Sequence, residues 1–270
     1  MSYTLEKHFE KIGAKLKFVK VFEQPQNRRG LRQSPYQIDI INQSGVEMFE
    51  IQVNGRMEDN LEFSVLEVKP QDRHLVLLAR EVDSEGMALN KEHFLCGHDE
   101  RHLFVASVAG VSTVDQAKDS LKPRFLRLRE TGMNAQKRHR RKTKNFKRQG
   151  EWFFIPDSIE PDESLIIRNE PLSRGRGSKP HMAQYCYRSG GELVKVSNEY
   201  PNGVTLAQYN NLVKRSPRLK HLFWYDRRRG AEVYVKGKVR HEDHATITLN
   251  QWHMVLMNTE ETKETVVFLD

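Results

Sequence analysis

Short runs rich in β-branched and aromatic residues, each interrupted by Gly, Pro, Asn or Asp, recur along most of this chain. Early examples are LKFVKVF from Leu16 and YQIDIIN from Tyr36, and a late one is ATITLNQWHMVLMN from Ala245. Such runs predict strands, and the intervening Asn and Gly residues predict tight turns. Because few helical stretches separate the runs, most neighbouring strands are expected to pair antiparallel. The sequence therefore predicts a strand-rich α+β fold of mostly antiparallel sheets, with a basic helical connection between two β regions.

The predicted strands form an earlier and a later group. The earlier strands are 16–22, 36–42, 46–53, 61–68, 73–81, 93–99 and 102–109. The later strands are 151–156, 164–172, 181–188, 191–197, 221–226, 231–241, 245–258 and 264–270. We therefore predict an N-terminal β-rich region over 1–111 and a C-terminal α+β region over 151–270, joined by a helical basic connection over 112–150.

Helices are predicted from the spacing of apolar residues and from capping signals. The first and last are 4–15 and 205–215. Thr113 or its neighbour Ser112 can cap another, which ends before Pro123. Pro123 begins one more helix, over 124–144, in which Gly132 is a candidate break. The later part of this helix carries almost nothing apolar. That later part is expected to be an exposed helix end or a mobile arm.

Composition narrows the class of protein. Two cysteines in 270 residues, Cys96 and Cys186, are typical of free thiols in an intracellular protein rather than of a disulfide scaffold. The first residues lack the apolar run of a secretory signal. No stretch reaches the roughly 18 apolar residues that a transmembrane helix needs. We therefore expect a cytoplasmic protein, or a nuclear one where the host has a nucleus, without a membrane partner.

The net charge of +8 comes from a basic segment, residues 124–148. This segment holds eleven Lys or Arg and one acid, Glu130, so the rest of the chain sums to −2. Cations at this density pair with phosphates and release counterions, and nearby aromatic rings offer faces for unpaired bases. We predict that RNA or single-stranded DNA binds here; a solvated linker or a contact to an acidic protein is the alternative. The cations predicted to bind nucleic acid are Lys137, Arg138, Arg140, Arg141, Lys142, Lys144, Lys147 and Arg148.

Two further stretches combine cations with glycine or aromatic residues. In PLSRGRGSKPH, the cations Arg174, Arg176 and Lys179 surround two glycines, so the backbone can approach a phosphate. The spacing is not that of a Walker loop, and a plain flexible turn is equally compatible with it. The stretch 212–230 alternates Lys and Arg with three consecutive aromatic residues. Three such stretches favour a long groove for nucleic acid over a single patch.

The stretch GHDERH brings two histidines and two carboxylates together in sequence. Extended geometry puts His98, Glu100 and His102 on one face, because side chains alternate along a strand. Two imidazoles and a carboxylate are suitable donors for Zn²⁺ or Mn²⁺, and Cys96 is close enough in sequence to join them. A polar turn before the strand at His102 is the alternative.

The stretch VRHEDHATITLNQWH contains three of the eleven histidines. RHEDH interrupts two predicted strands, so His241, Asp243 and His244 are expected near the tip of a hairpin. Along the following strand, His253 falls on the opposite face from His244, together with Ile247 and Leu249. His253 is therefore predicted to be a core histidine.

The tetrapeptide HATI at His244 matches the H-x-T-x motif of the two-histidine phosphoesterases. That family requires two such tetrapeptides in symmetric positions. The tetrapeptides HLFV at His102 and HMAQ at His181 lack the threonine. The sequence therefore does not assign the chain to that family.

These motifs lead to a functional hypothesis: a nucleic-acid-binding protein, with RNA or single strands favoured, that cleaves phosphodiesters. Either a bound Zn²⁺ or Mn²⁺ ion activates water, or two histidines exchange protons. The candidate catalytic residues are His98, Glu100, His102, His241, Asp243 and His244. The candidate metal ligands are His98, Glu100, His102 and His244.

Two alternatives to this hypothesis stay open. One is a non-catalytic subunit of a nucleoprotein or defence assembly, with protein partners. The other is a metal-stabilised interaction module without nucleic acid. The chain contains no nucleophile elbow, HExxH helix, CxxC pair, dinucleotide fingerprint or kinase signature, which argues against the acyl-transfer, redox and kinase chemistries that use them.

Overall fold

A computed structural model of the chain describes residues 2–22, 35–173 and 179–260. It has the predicted strand-rich α+β fold, with mostly antiparallel sheets. The chain forms two compact units. The N-terminal unit comprises the described residues up to Arg140 with Thr259 and Glu260, and the C-terminal unit runs from Arg141 to Asn258. The boundary falls inside the basic segment, while the three-part division at 111 and 150 stays a prediction.

The N-terminal unit contains seven strands in two sheets, within the described residues. The first sheet has the order β1-β3-β2, and the second has the order β4-β5-β6-β7. The strands are β1 (Leu16–Val21), β2 (Tyr36–Gln43), β3 (Val46–Asn54), β4 (Leu61–Lys69), β5 (His74–Val82), β6 (Ala88–Asp99) and β7 (His102–Val108). The helices are α1 (Ser2–Lys11), α2 (Val114–Ser120), α3 (Arg124–Arg129) and α4 (Ala135–Arg138).

One pairing in this unit departs from the predicted antiparallel meander. Strand β1 pairs parallel with β3, while β2 pairs antiparallel with β3 on its other edge. The hairpin that joins β2 to β3 leaves the other edge of β3 open, and β1 pairs along that edge. The expectation of sequential antiparallel neighbours is wrong at this point.

Two layers of apolar side chains hold the N-terminal unit together. Helix α1 supplies Phe9 to a buried cluster, where its ring meets that of Phe49 edge-on at 5.0 Å. Cys96 belongs to the same cluster and is fully buried, so it is a core residue and not a metal ligand beside His98. Helix α2 begins after Thr113, whose hydroxyl accepts the N–H of Gln116 as predicted for a cap.

The C-terminal unit is built on a six-stranded antiparallel sheet with the order β10-β11-β15-β16-β9-β8. A smaller sheet of order β13-β12-β14 carries helix α5 (Leu206–Arg215). The strands are β8 (Lys147–Gln149), β9 (Trp152–Pro156), β10 (Ile167–Leu172), β11 (His181–Ser189), β12 (Glu192–Val196), β13 (Val204–Thr205), β14 (Tyr225–Arg229), β15 (Glu232–Arg240) and β16 (Ile247–Met257).

The core of this unit lies against the six-stranded sheet. Trp152, Phe154, Val235 and Leu249 are among its fully buried members. His253 on β16 is also buried, and its Nδ1–H donates to the carbonyl of Gln251. The prediction that His253 is a core histidine is therefore confirmed.

The basic segment is divided at Gly132, as its sequence suggests, but its later part does not continue as a helix to Lys144. Helix α3 has six residues and α4 has four, and the chain then enters strand β8 at an edge of the six-stranded sheet. Gly132 takes a left-handed φ of 80° between the two helices, which ends the first one. A buried ion pair of Lys122 with Glu130, 2.6 Å long, fixes the chain around α3.

The other differences concern boundaries. The strand predicted over 221–226 starts at Tyr225, because Pro217–His221 forms a 3-10 turn before it. The strand predicted over 264–270 lies outside the described residues, as do Arg174 and Arg176. The longest helices that the structure describes, α1 and α5, have ten residues each, and no helix in that part of the chain is long and apolar enough to cross a membrane.

Candidate metal centre

Three histidines from two places in the sequence meet in the C-terminal unit. His181 is the first residue of β11, whereas His241 and His244 lie in the connection between β15 and β16. Met182 pairs with Arg240 across the sheet, so the start of β11 lies beside the end of β15. The hairpin-tip position predicted for His241 and His244 is confirmed by the end of β15 at Arg240 and the start of β16 at Ile247.

The three imidazoles lie within reach of a single ion. One potential ligand atom from each of His181, His241 and His244 lies within 4.8 Å of the others. The ring centroids are 4.1 Å apart for His181 and His241, and 4.7 Å apart for His241 and His244. Tetrahedral zinc with Zn–N bonds of about 2.0 to 2.1 Å requires N···N separations near ~3.3 Å. To reach that distance, the three donor atoms need to approach one another by at most about 1.5 Å, which rotation of their side chains can supply. The cluster could therefore hold a metal ion.

His181 is the most unusual member of this cluster. Its side chain is 1% exposed, and both ring nitrogens are buried without a hydrogen-bond partner among the described residues. A neutral imidazole has one donor and one acceptor, and each unsatisfied buried group costs about 1 to 3 kcal/mol. Burial, with the neighbouring His241 and His244, lowers the pKa of His181 to about 3. His181 is therefore neutral at physiological pH, the state in which imidazole binds a metal.

Hydrogen bonds set the tautomer of His241. Its Nδ1 accepts the backbone N–H of Asp243 at 3.1 Å, so this nitrogen carries no proton. The proton of the neutral ring is then on Nε2, which lies 3.3 Å from the carbonyl of Lys179. A ligating histidine commonly donates its other ring N–H to a backbone carbonyl. Ligation through Nδ1 would keep the contact with Lys179 and would replace the N–H of Asp243.

Gly150 closes one side of the cluster. It belongs to the two-residue turn between β8 and β9 and has a left-handed φ of 57°. A Cβ at this position would lie 2.9 Å from Nε2 of His244 and 3.3 Å from Nε2 of His181. Glycine is therefore required both by the backbone conformation and by the close approach of the imidazoles.

A charged pair lies beside the histidines. Nζ of Lys179 is 2.9 Å from Oδ1 of Asp243 and 3.4 Å from a carboxylate oxygen of Glu242. The hydrogen bond from Lys179 to Asp243 raises the pKa of the lysine. The charge of Asp243 also opposes, in part, the lowering of the His181 pKa, which places this carboxylate in the electrostatic environment of the cluster.

The N-terminal stretch GHDERH has a different geometry from the one predicted. Strand β6 ends at Asp99 and β7 begins at His102, and Glu100 occupies the turn with φ 59°. His98 pairs with Leu103 and Asp99 pairs with His102, so the two imidazoles project to opposite faces of the hairpin. The extended arrangement that put His98, Glu100 and His102 on one face is therefore wrong, because the chain turns at Glu100.

Each of these two histidines has a partner within the N-terminal unit. Nη2 of Arg73 lies 3.0 Å from Nε2 of His98, so the guanidinium occupies the lone pair that a metal would need. Burial, followed by the charge of Arg73, lowers the pKa of His98. Nδ1 of His102 lies 2.6 Å from Oε1 of Glu47. A catalytic role for His98, Glu100 and His102 stays a prediction.

The predicted nucleic-acid-binding cations divide into engaged and exposed ones. Arg138 makes a close ion pair with Asp119, and Lys179 pairs with Asp243. Lys147 donates to the carbonyl of Thr248, and Arg148 donates to that of Gly150, while Arg141 is half-buried. Lys137, Arg140, Lys142 and Lys144 are exposed, as is Lys179 despite its ion pair.

Sequence reasoning missed His181 and Gly150. The two partners of His181 lie roughly 60 residues further along the chain, so no local spacing signals the cluster. Ala183 stands where the H-x-T-x tetrapeptide would have threonine, and it is fully buried. The available signal was a histidine at the start of a strand directly after the glycine-rich PLSRGRGSKP stretch.

Comparisons with known proteins give no further assignment. No model of a protein family, no curated protein sequence and no solved structure matches this chain. The functional argument therefore rests on the geometry of the C-terminal unit.

Proposed function

We propose that this protein is a metal-dependent phosphodiesterase of nucleic acid, whose metal ion is held by His181, His241 and His244. The observation that carries the proposal is the buried His181, whose two ring nitrogens lack partners in the described part while two other imidazoles lie beside it. Three protein donors leave one position for water, the arrangement of catalytic rather than structural zinc sites.

The ligand set favours zinc over manganese. All three donors are imidazole nitrogens, which suit zinc, whereas manganese prefers carboxylate, carbonyl and water oxygens. Of the ligands that the sequence predicts, His244 is retained, and His181 and His241 replace His98, Glu100 and His102. Bound zinc lowers the pKa of its water to about 7, which supplies hydroxide near neutral pH.

The hydrolytic step uses residues that line the cluster. A zinc ion held by His181, His241 and His244 would activate a water molecule. The carboxylate of Asp243 would accept the proton of that water, and its oxygen would form the new bond to phosphorus. The bond from phosphorus to the departing sugar oxygen breaks, and that oxygen takes up a proton. One water is consumed, and two fragments with phosphate and hydroxyl ends are released. Lys179, held beside Asp243 at 2.9 Å, would face the negative charge of the phosphate.

The basic segment supports nucleic acid as the substrate class. In the C-terminal unit it runs from Arg141 to Arg148 and ends two residues before Gly150, the residue against the imidazoles. A phosphate backbone bound along the exposed Lys142 and Lys144 would therefore lead toward the cluster.

Metal content tests the metal centre first. The full chain, stripped by chelator and reloaded with zinc, is expected to retain one zinc per chain after gel filtration, as measured by mass spectrometry of the metal. His181→Phe, which fills the buried site with an apolar ring, is expected to retain none. The matched control is His253→Phe. His253 is similarly buried on the same sheet, but it is not a member of the cluster, and its Nδ1–H donates to the carbonyl of Gln251. Equal zinc content in both variants would overturn the metal centre.

Cleavage tests the chemistry separately. Labelled single-stranded RNA and DNA are incubated with the zinc-loaded chain, with chelator, and with Asp243→Asn. Cleavage that needs zinc and falls with Asp243→Asn supports the proposal. Zinc binding without cleavage of either substrate leaves a metal-stabilised module and contradicts the phosphodiesterase.

A metal-free mechanism is the second candidate. In this tautomer His241 has an acceptor nitrogen, Nδ1, and a donor nitrogen, Nε2, and backbone groups hold the ring in place. An acceptor and a donor are what a general base and a general acid require. This candidate predicts cleavage of RNA but not DNA, since the 2′-hydroxyl serves as nucleophile, and resistance of that cleavage to chelator.

A further inference from the structure

Three consecutive aromatic residues at the start of β14, Phe223 to Tyr225, divide between the inside and the surface of the C-terminal unit. Trp224 turns inward, where its Nε1–H donates to the carbonyl of Leu219 and its ring stacks on Tyr200 at 5.4 Å. Phe223 and Tyr225 turn the other way, as neighbours along an extended chain do. Phe223 is 83% exposed, although an aromatic ring of this size stabilises a protein when it is buried.

Phe223 and Tyr225 continue into an arginine on the same face. Their ring centroids are 6.1 Å apart, and the guanidinium of Arg227 lies 5.4 Å from the centroid of Tyr225. Alternate residues along β14 share a face, which accounts for this row of three planar groups. Aromatic rings and guanidinium planes are the surfaces on which unpaired bases stack.

The chain leading to this row is strongly basic. The stretch 212–230 holds seven Lys or Arg and one acid, Asp226, which pairs with Lys195. Four exposed cations precede this row in the chain: Lys214, Arg215, Arg218 and Lys220. A polyanion is therefore the complementary partner in charge, and an acidic protein would leave the planar row without a role.

We propose that Phe223, Tyr225 and Arg227 form a stacking platform that binds unpaired bases of single-stranded nucleic acid, with the cations before them on its phosphates. The platform goes beyond the proposed phosphodiesterase, since it needs neither a metal ion nor cleavage. It also makes no distinction between ribose and deoxyribose, because rings and cations contact bases and phosphates alone.

Binding of labelled homopolymers in chelator tests the platform apart from the metal centre. The probes are uridine RNA and thymidine DNA of about 16 nucleotides, the upper end of the site sizes of such surfaces. Fluorescence anisotropy of the full chain is measured across a range of salt. The wild-type chain is expected to bind both probes, while Phe223→Ala is expected to bind about 5- to 100-fold more weakly.

Three further variants separate stacking from other causes. Phe223→Trp retains a planar ring and is expected to restore binding, whereas Phe223→Leu retains only apolar surface and is not. The matched control is Leu193→Ala, because Leu193 is 58% exposed on the same small sheet and faces the opposite side from Tyr225. Its affinity should equal that of the wild type.

The salt dependence distinguishes the platform from the cations. Phe223→Ala should leave the slope of log affinity against log salt unchanged, while Lys220→Ala should lower its magnitude by about 0.7 for each phosphate that the chain no longer neutralises. Equal affinity of Phe223→Ala and wild type, or binding of an acidic polypeptide in place of both probes, would overturn the platform. Tight binding of both probes in chelator would support the platform, whatever the zinc measurements show for the metal centre.

Discussion

The two units of this protein surround their histidines with different groups. In the N-terminal unit, His102 contacts Glu47 and His139 contacts Asp119. Although burial opposes it, the hydrogen bonds from His139 and Arg138 lower the pKa of Asp119 to about 2. These two histidines use ring nitrogens to bind carboxylates within their own unit, so those nitrogens are not available to a metal ion.

In the C-terminal unit the three clustered histidines contact one another. Three adjacent imidazoles cannot all be charged, because like charges at this distance repel one another. Burial and the two neighbouring imidazoles lower the pKa of His181 to about 3, so it stays neutral. The difference teaches that the number of histidines in a stretch is a poor guide to a metal site, and that the groups around them decide it.

The largest effect is expected from removing a histidine of the cluster, compared with removing His98 and His102 of the N-terminal unit. His241→Ala should weaken zinc binding more than about 100-fold, the upper range seen when only the outer partners of metal ligands are mutated. The double variant His98→Ala/His102→Ala should bind zinc as the wild type does, because neither residue belongs to the cluster. Competition with a chromophoric chelator measures both affinities. Loss of zinc in the double variant alone would reverse the comparison.

The next effect is on the pH dependence of stability without metal. The pKa of His181 falls from its ordinary 6.5 to about 3 on folding. Between these values the unfolded chain binds a proton that the folded unit excludes, so stability is lost as pH falls below 6.5. The loss attributable to His181 approaches about 1.4 kcal/mol per pH unit inside the window.

Tryptophan fluorescence follows this transition in the C-terminal unit alone, because all three tryptophans, Trp152, Trp224 and Trp252, lie there. Denaturant titrations at pH 7 and pH 5 should show a smaller difference for His181→Phe than for the wild type. The N-terminal counterpart, His98→Phe, should leave the difference measured by tryptophan unchanged. An equal pH dependence in wild type and His181→Phe would show that this residue does not stay neutral in the folded state.

Much of the fold follows from local sequence. Runs such as YQIDIIN and the cap at Thr113 depend on neighbours in sequence, so pattern and capping rules found them. The parallel pairing of β1 with β3 could not be predicted, because local sequence does not show which free edge of the β2–β3 hairpin β1 joins. The prediction that a helix continues through the basic segment was wrong, because tertiary ion pairs such as Lys122 with Glu130 fix the chain in a different course.

The candidate site was predictable only in part for the same reason. His241, Asp243 and His244 are close in sequence, and a hairpin tip is a local feature. His181 joins them because β11 pairs with β15, a contact between residues roughly 60 positions apart in the chain. Gly150 comes from yet another hairpin, and its need for glycine arises from two imidazoles that are distant in sequence.

A moderate effect is expected from Gly150→Ala. This change adds the cost of a left-handed alanine, about 1 to 2 kcal/mol, and places a methyl group against His244 and His181. Zinc affinity should fall about 10- to 100-fold, as for other groups that orient ligands. The matched control is Gly230→Ala, because Gly230 has a φ of 69° with nothing within 4 Å of an added Cβ. Equal zinc affinities in the two variants would show that Gly150 does not position the imidazoles.

The smallest effect compares the two parts of the basic segment. Arg138, in the N-terminal unit, is held by Asp119 at 2.7 Å, whereas Lys142 and Lys144 in the C-terminal unit are exposed. Arg138→Ala should cost about 1 to 3 kcal/mol of stability by depriving Asp119 of a partner, with no change in the salt dependence of RNA binding. Lys142→Ala and Lys144→Ala should preserve stability and each lower the magnitude of the salt slope by about 0.7. If Arg138→Ala lowers the slope as much as Lys142→Ala does, Arg138 leaves Asp119 and contacts a phosphate when RNA binds. Pairing with a carboxylate would then not prevent a cation of this unit from binding nucleic acid.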